Sequence, residues 1–355
     1  MTALAAPTAD LHAALKRAAD YPRLRYMGSK YKLAPALAQV FRDLGGETFL
    51  DAFSGSGFVG YLAKAMGYAV TSNDYMGYGR AIASAAIGAS EPLLTPDLIE
   101  LITGPAADDR SFIQDTFENV FFAADDRKFL DTAWSHIDSL DGHTKDAALA
   151  ALILSAARKQ PRGVFTISGD LSHYDDGRRD LRLPMREHFI EHAAAYNRIA
   201  FDNGRDHQAL KGDALELEKT AYDVVYLDPP YAPPSDDADY TKRYHFLEGL
   251  SDYWAAGEIM EHTKTKKIPK RHSAFASKRT AAEALRATFE KFADAGALVV
   301  SYSSNSVPGL DWMLEELGKV KASVEVHKIP HTYSFGTHGA AIRRQAHEYI
   351  FVAKD

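Results

Sequence analysis

Cysteine is absent from all 355 residues, which excludes disulfides, thiolate metal ligands and cysteine nucleophiles and leaves His, Asp and Glu as the available metal ligands. The histidines, from His12 onward, show no metal-ligand spacing, so no metal is expected. Long apolar runs are missing too. No stretch approaches the roughly 20 residues of a membrane-spanning helix, and charges at Asp10, Lys16, Arg17 and Asp20 interrupt the alanine-rich start, unlike a secretory signal. The expectation is a soluble, cytoplasmic protein. An excess of positive charge is also lacking, since the formal net charge is −7, but the overall sign says little when positive groups gather on one face. What is present is an ordinary globular composition, 46% apolar and 25% charged, with length for one large domain or one domain carrying a sizeable insertion.

Positive charge does gather. Residues 263–280 hold Lys264, Lys266, Lys267, Lys270, Arg271, Lys278 and Arg279 and no acid. A second set, Arg158, Lys159, Arg162, Arg178, Arg179, Arg182 and Arg186, is diluted by Asp170, Asp175, Asp176 and Asp180. Either set suits a phosphate backbone, and charge alone leaves a solvated face equally open.

Along the chain, Leu33, Leu37, Val40 and Phe41 recur at helical spacing, and Thr48-Phe49-Leu50 then reads as a strand ending at Asp51. Phe53-Ser54-Gly55-Ser56-Gly57 follows, then a buried helix (Phe58, Val59, Tyr61, Leu62, Ala65, Met66) capped by Gly67, then the strand Tyr68-Ala69-Val70-Thr71 closed by Ser72-Asn73-Asp74. This strand, glycine turn, helix, strand order opens nucleotide-binding α/β folds. Residues 79–206 change character to alanine-rich helical stretches, 146–158 among them, around a polar section. Tyr222-Asp223-Val224-Val225-Tyr226-Leu227 and Ala297-Leu298-Val299-Val300-Ser301-Tyr302 restore buried strands. The runs 323–329 and 348–352 are expected to pair antiparallel at a sheet edge, and the Pro/Asp-rich 232–239 to form a mobile loop.

Gly55, Gly57 and Gly60 satisfy G-x-G-x-x-G, where missing side chains admit a cofactor to a helix N-terminus, and Asp74 is placed to accept from ribose hydroxyls. The spacing alone fits a nicotinamide cofactor, S-adenosylmethionine or an empty tight turn. Asp51 tilts the choice: a carboxylate there repels a pyrophosphate and attracts the ammonium and sulfonium groups of S-adenosylmethionine. The turn Met27-Gly28-Ser29-Lys30 offers a partner for that cofactor's carboxylate, while Lys30 taken in isolation reads as an exposed lysine.

Asp228-Pro229-Pro230-Tyr231 ends the apolar strand, and its two prolines lock the chain rigidly at the sheet edge. An exocyclic aromatic amine is a poor nucleophile because its lone pair is delocalised. Acceptors for its protons, the Asp228 carboxylate and the Pro229 carbonyl, would let it pyramidalise, and Tyr231 would stack on a base turned out of the duplex. Such chemistry needs neither a metal nor a covalent intermediate.

With these blocks in this order, the chain resembles the Dam-like family of DNA adenine-N6 methyltransferases. The resemblance implies a Rossmann-like, S-adenosylmethionine-dependent α/β fold with a mostly parallel sheet, an antiparallel C-terminal edge hairpin and a mainly helical inserted target-recognition domain. It would divide the chain into a catalytic domain, 1–79 and 206–355, and an insertion, 80–205. It implies that Tyr26, Lys30, Asp51, Phe53, Gly55 and Gly57 contact the cofactor's methionine part, that Asp74 holds the ribose, and that Asp213 in Lys211-Gly212-Asp213-Ala214 meets its adenine. Tyr244-His245-Phe246-Leu247-Glu248, Ser301-Tyr302-Ser303-Ser304-Asn305-Ser306, Arg343-Arg344 and Glu348-Tyr349-Ile350-Phe351 resemble segments of a subset of members. In the insertion, Arg162, Arg178 and Arg179 are the candidate DNA contacts, joined by Lys266, Lys267 and Lys270 from the acid-free run. The partner implied is double-stranded DNA, in a restriction-modification or phage/host modification setting where a cognate restriction endonuclease can accompany it.

Cytosine-C5 methylation falls away without a cysteine. Cytosine N4, RNA adenine and a protein glutamine amide stay open as related targets, although a serine or asparagine is the more usual first residue there. A nicotinamide-dependent dehydrogenase would leave the tetrad unexplained, and a catalytically silent DNA-binding protein would leave the cofactor residues unexplained.

Overall fold

The computed structural model describes residues 11–161, 163–166, 177–232, 240–255, 257–335 and 342–355, with backbone alone at 331–335 and 342–346. Helices α1 (Leu11–Ala19) and α2 (Ala34–Leu44) lead into strand β1 (Thr48–Asp51). On α2 the expected stripe is buried, with Leu37, Val40 and Phe41 facing inward. Helix α3 (Phe58–Ala65), β2 (Ala69–Asp74) and α4 (Gly77–Gly88) follow, and β2 is longer than the expected strand because Ser72, Asn73 and Asp74 stay in the sheet.

A helical stretch comes next: α5 (Pro96–Ile102), α6 (Phe112–Thr116), α7 (Ala124–Ile137), α8 (Gly142–Arg158), α9 (Arg179–Arg182) and α10 (Met185–Ile199). The chain then returns through β3 (Gln208–Lys211), β4 (Val224–Leu227), α11 (Tyr240–Asp252), α12 (Ala281–Lys291), β5 (Ala297–Ser303), α13 (Leu310–Val320), β6 (Ser323–Phe335) and β7 (Ile342–Lys354).

Seven strands form one sheet in the order β3-β2-β1-β4-β5-β7-β6. The first five are parallel, and β7 runs antiparallel to both β5 and β6. The expected edge hairpin is therefore present and extends beyond the two apolar runs, from Ser323↔Lys354 to Phe335↔Ile342. Alternation along the central strands builds two cores. Phe49, Val224, Tyr226 and Val299 point into the layer that holds α2, α3, α4 and α8, while Leu50, Val225, Leu227, Leu298 and Val300 meet α12 and α13 on the other side. This is a mixed α/β, three-layer Rossmann-like fold.

Between β2 and β3, α8 is buried along most of its length and packs against α4 and α10. Its apolar residues are continuous with the core under the sheet. Residues 79 and 80 lie within α4, which packs against β2 and β3 as well as α8. Among the described residues no helix is long and apolar enough to cross a membrane.

The site is positioned by a reversal of direction. From β1 the chain proceeds outward to β2 and β3, whereas β4 lies on the other flank of β1, so the carboxyl ends of β1 and β4 border a crevice between diverging connections. Open α/β sheets bind ligands at such a switch point.

Candidate active site

The glycine turn leaves β1 at Asp51 and enters α3. Gly57, at φ +71°, precedes the helix, and a Cβ there would lie 2.8 Å from the Tyr21 hydroxyl and 3.1 Å from Ala83 Cα. Gly55, at φ +52°, lets the Tyr26 ring approach, since a Cβ would lie 2.9 Å from Tyr26 Cε1. The main chain is pinned by Gly57 N–H on Ser54 O at 2.8 Å and by Ser54 N–H on Asn73 O at 2.9 Å.

Asp51 is fully buried, and its Oδ2 accepts the Gly60 N–H at 3.0 Å in the first turn of α3. Burial, followed by the neighbouring charge of Asp228, pushes its carboxyl up to about 8 despite that donor. Asp74, at the end of β2, accepts from Gly55 N–H at 2.6 Å and Met76 N–H at 2.7 Å, and burial pushes it up to about 6. Asp213 accepts from Leu215 N–H at 3.0 Å, and Phe53 packs edge-on against Phe275 at 5.0 Å.

At the end of β4 the tetrad is held by charge and hydroxyl contacts. The Lys30 ammonium lies 2.7 Å from Asp228 Oδ2 and donates to the Gly28 carbonyl at 2.6 Å. At 5% exposure Lys30 is buried, which corrects its reading as an exposed lysine: the Asp228 carboxylate compensates its desolvation. The Tyr231 hydroxyl lies 2.9 Å from Asp228 Oδ1 and 3.1 Å from Glu348 Oε2. Its ring stands edge-on to Tyr302 at 5.2 Å, with the Lys30 ammonium 5.0 Å from the centroid. Burial raises the Asp228 carboxyl above the usual range, and Lys30 opposes that rise.

All but one of the expected cofactor and catalytic residues line a single cleft of about 1280 Å³, counted to its open mouth. Gly57 is the exception and sits behind the turn. Within the cleft Asp51 Oδ1 and Ser54 Oγ are buried with no hydrogen-bond partner among the described residues. Buried polar atoms in folded proteins are mostly paired, so these two are free to meet a polar ligand that carries a cation. The acid at the end of β1 and the short side chains of the turn fit a methyl donor carrying ammonium and sulfonium groups.

The family model for D12 class N6 adenine-specific DNA methyltransferases matches residues 26–158 and 168–296. The chain belongs to this family. It is also similar to the type II methyltransferase M2.HphI of Haemophilus parahaemolyticus, 29% identical over 88% of this chain and 92% of that protein. Type II methyltransferase M.FokI of Planomicrobium okeanokoites is 26% identical over 94% of this chain and 53% of its own length. Modification methylase LlaI of Lactococcus lactis subsp. lactis is 24% identical over 82% and 48%. The chain thus spans nearly all of the first relative and about half of the other two.

As an N6-adenine DNA methyltransferase, the protein has DNA as substrate and requires a methyl donor. Of the six expected DNA contacts, the five that are described, Arg178, Arg179, Lys266, Lys267 and Lys270, do not line the cleft. Arg178 donates to the Pro161 carbonyl and Arg179 pairs with Glu191 on the surface. Arg162 lies outside the described residues, as does most of the expected loop 232–239. Lys266 pairs with Glu261 at 2.6 Å beside a Met260↔Lys267 bridge, and Lys270 is exposed. Arg271 of the same run turns inward to the buried Glu248, 3.1 Å away, and lines the cleft with His272 and Ser273. Tyr240 was also not singled out from the sequence. It lines the cleft within a group of rings in which Tyr26 stacks on Tyr244 at 5.0 Å. Its position just past the Pro/Asp-rich segment after the tetrad was the one signal pointing to it.

Proposed function

We propose that the methyl donor is S-adenosylmethionine and that the enzyme transfers its methyl group directly, in line, to N6 of an adenine turned out of double-stranded DNA. The observation that carries this reading is the shared cleft. Asp51 and Asp228 end neighbouring parallel strands, so one ligand held by the first acid would lie beside another held by the second. When bound, the cofactor supplies an electrophilic methyl on a sulfonium.

The protein's own groups do the rest. Asp51 and the glycine turn would hold the methionine part, with Tyr26 and Phe53 against it; Asp74 would take the ribose hydroxyls and Asp213 the adenine. Asp228 and the Pro229 carbonyl would accept the N6 protons, exposing the nitrogen lone pair, and Pro230 fixes the loop. Lys30 favours the ionised form of Asp228 that this task needs, against the burial that opposes it. The ring of Tyr231 would support the base, offsetting part of the few kcal/mol lost on unstacking.

Target choice is assigned to the helical segment 80–205, with Arg162, Arg178 and Arg179 nearest the DNA, and phosphate binding to Lys266, Lys267 and Lys270. The resemblance to type II methyltransferases supports a cytoplasmic restriction-modification role with a cognate endonuclease. The test is to express the protein in a host lacking adenine methylation and sequence its DNA for modified bases. N6-methyladenine at one recurring sequence supports the reading, and unmodified adenines or modified cytosines sink it. Calorimetric binding of S-adenosylmethionine without DNA tests the cofactor separately.

A further inference from the structure

Glu348 is a buried acid to which the transfer chemistry above gives no task. It lies on β7 opposite Ser303 of β5 and Ile329 of β6, and is 3% exposed. Ile350 and Val352, two and four positions along the same strand, are apolar, as a buried strand face requires. An acid in that row is unfavourable unless a specific partner compensates it. Among its contacts is the Tyr231 hydroxyl, 3.1 Å from Oε2 and at the same time 2.9 Å from Asp228 Oδ1.

We infer that Glu348 is a positioning residue for catalysis, holding the Tyr231 hydroxyl between two carboxylates and so fixing both the ring that supports the base and the plane of Asp228. The inference rests on the reading that Asp228 serves the amine. A phenol has one proton, which is shared between the two acids or given to one at a time, so the direction of a hydroxyl seated between them depends on both. Asp228 then has one oxygen on Lys30 and the other on Tyr231, and its remaining lone pairs are aimed. Removing Glu348 frees one side of the hydroxyl, and Tyr231 and Asp228 lose orientation together. Misplacement of this kind slows chemistry without weakening a ligand bound elsewhere in the cleft.

Charge adds a second readout. Among the described residues the groups facing Asp228 are Lys30 from the turn before α2, Asp51 from β1, Tyr226 from β4, Tyr231 from its own loop, Tyr240 from α11 and Glu348 from β7. Of these Lys30 and the Tyr231 hydroxyl favour the ionised carboxyl, while a charged Glu348 and Asp51 oppose it. Neutralising Glu348 therefore lets Asp228 ionise at lower pH.

The experiment compares wild type, E348Q, E348A and Y231F in single-turnover methylation of DNA from a methylation-deficient host, with S-adenosylmethionine affinity measured on each. E348Q retains an acceptor for Tyr231, so its rate should stay within about threefold of wild type while the acidic limb of its pH profile moves down by about half a unit. E348A should lose about tenfold in rate with cofactor affinity within about twofold, and should cost little more when added to Y231F. The inference is overturned if E348Q and E348A lose rate equally, if the limb stays in place, or if E348A keeps its full effect in Y231F. Should E348A not fold, the E348Q limb and an E348Q–Y231F cycle decide. A wild type that methylates no adenine, or an active Asp228→Ala variant, would instead sink the functional reading itself.

Discussion

The Lys30 ammonium and Asp228 Oδ2, 2.7 Å apart, join the turn before α2 to the end of β4. The pair is largely shielded from water, so neither charge is tolerated well without the other. Lys30 holds down a carboxyl that burial raises. Lys30→Met should therefore move the acidic limb of the rate profile to higher pH, with a larger loss at about pH 6.5 than at about pH 8.5. A pH-rate profile checks this, and a uniform loss across pH would count against it.

Asp51 is held at about 8 in the ligand-free protein, chiefly by burial. Its folded value lies above the unfolded one, so its neutral form favours folding, and that contribution falls as pH rises from about 4 towards 8. A cationic ligand reverses the preference and drives the proton off. Binding of S-adenosylmethionine should release protons near neutral pH, seen as a buffer-dependent enthalpy in calorimetry, and Asp51→Asn should remove most of that release. Buffer-independent enthalpies would show that Asp51 is not the cation's partner.

Gly57 combines φ +71° with a crowded Cβ position. Gly57→Ala should destabilise the fold by about 1–3 kcal/mol in denaturant unfolding. Gly318, in α13 with nothing within 4 Å of an added Cβ, is the control: Ala there should be neutral or stabilising by up to about 1 kcal/mol. Equal effects at both positions would remove the strain argument.

Lys266, Lys267 and Lys270 lie outside the cleft, on the segment whose Arg271 reaches into it. Replacing all three by Gln should weaken DNA binding and reduce the slope of log affinity against log salt by about 0.9 for each phosphate that is no longer neutralised. An unchanged slope assigns the run to solvent.

Much of the site was legible because its parts are local. The glycine turn, Asp51, Asp74 and the tetrad each sit at the end of an apolar strand, and parallel strands put such ends on one side of the sheet. What the sequence hid are relations between distant segments. Lys30 was expected against the cofactor, but its ion pair with Asp228 exists only once β4 brings the two together. Strand β3 was missed because Gln-Ala-Leu-Lys is short and only partly buried at the sheet edge. Arg271 and Lys266 share one basic run, yet one turns to buried Glu248 and the other to exposed Glu261, a difference that composition cannot carry.

The most direct measurement is transfer of a labelled methyl group from S-adenosylmethionine to DNA by wild type and by Asp228→Ala, followed by separation of the nucleosides. Wild type should place the label on N6-methyladenine, and Asp228→Ala should place none while binding the cofactor within about twofold of wild type. An Asp228→Ala variant that methylates at nearly the wild-type rate, or label found on another nucleoside, would contradict the mechanism.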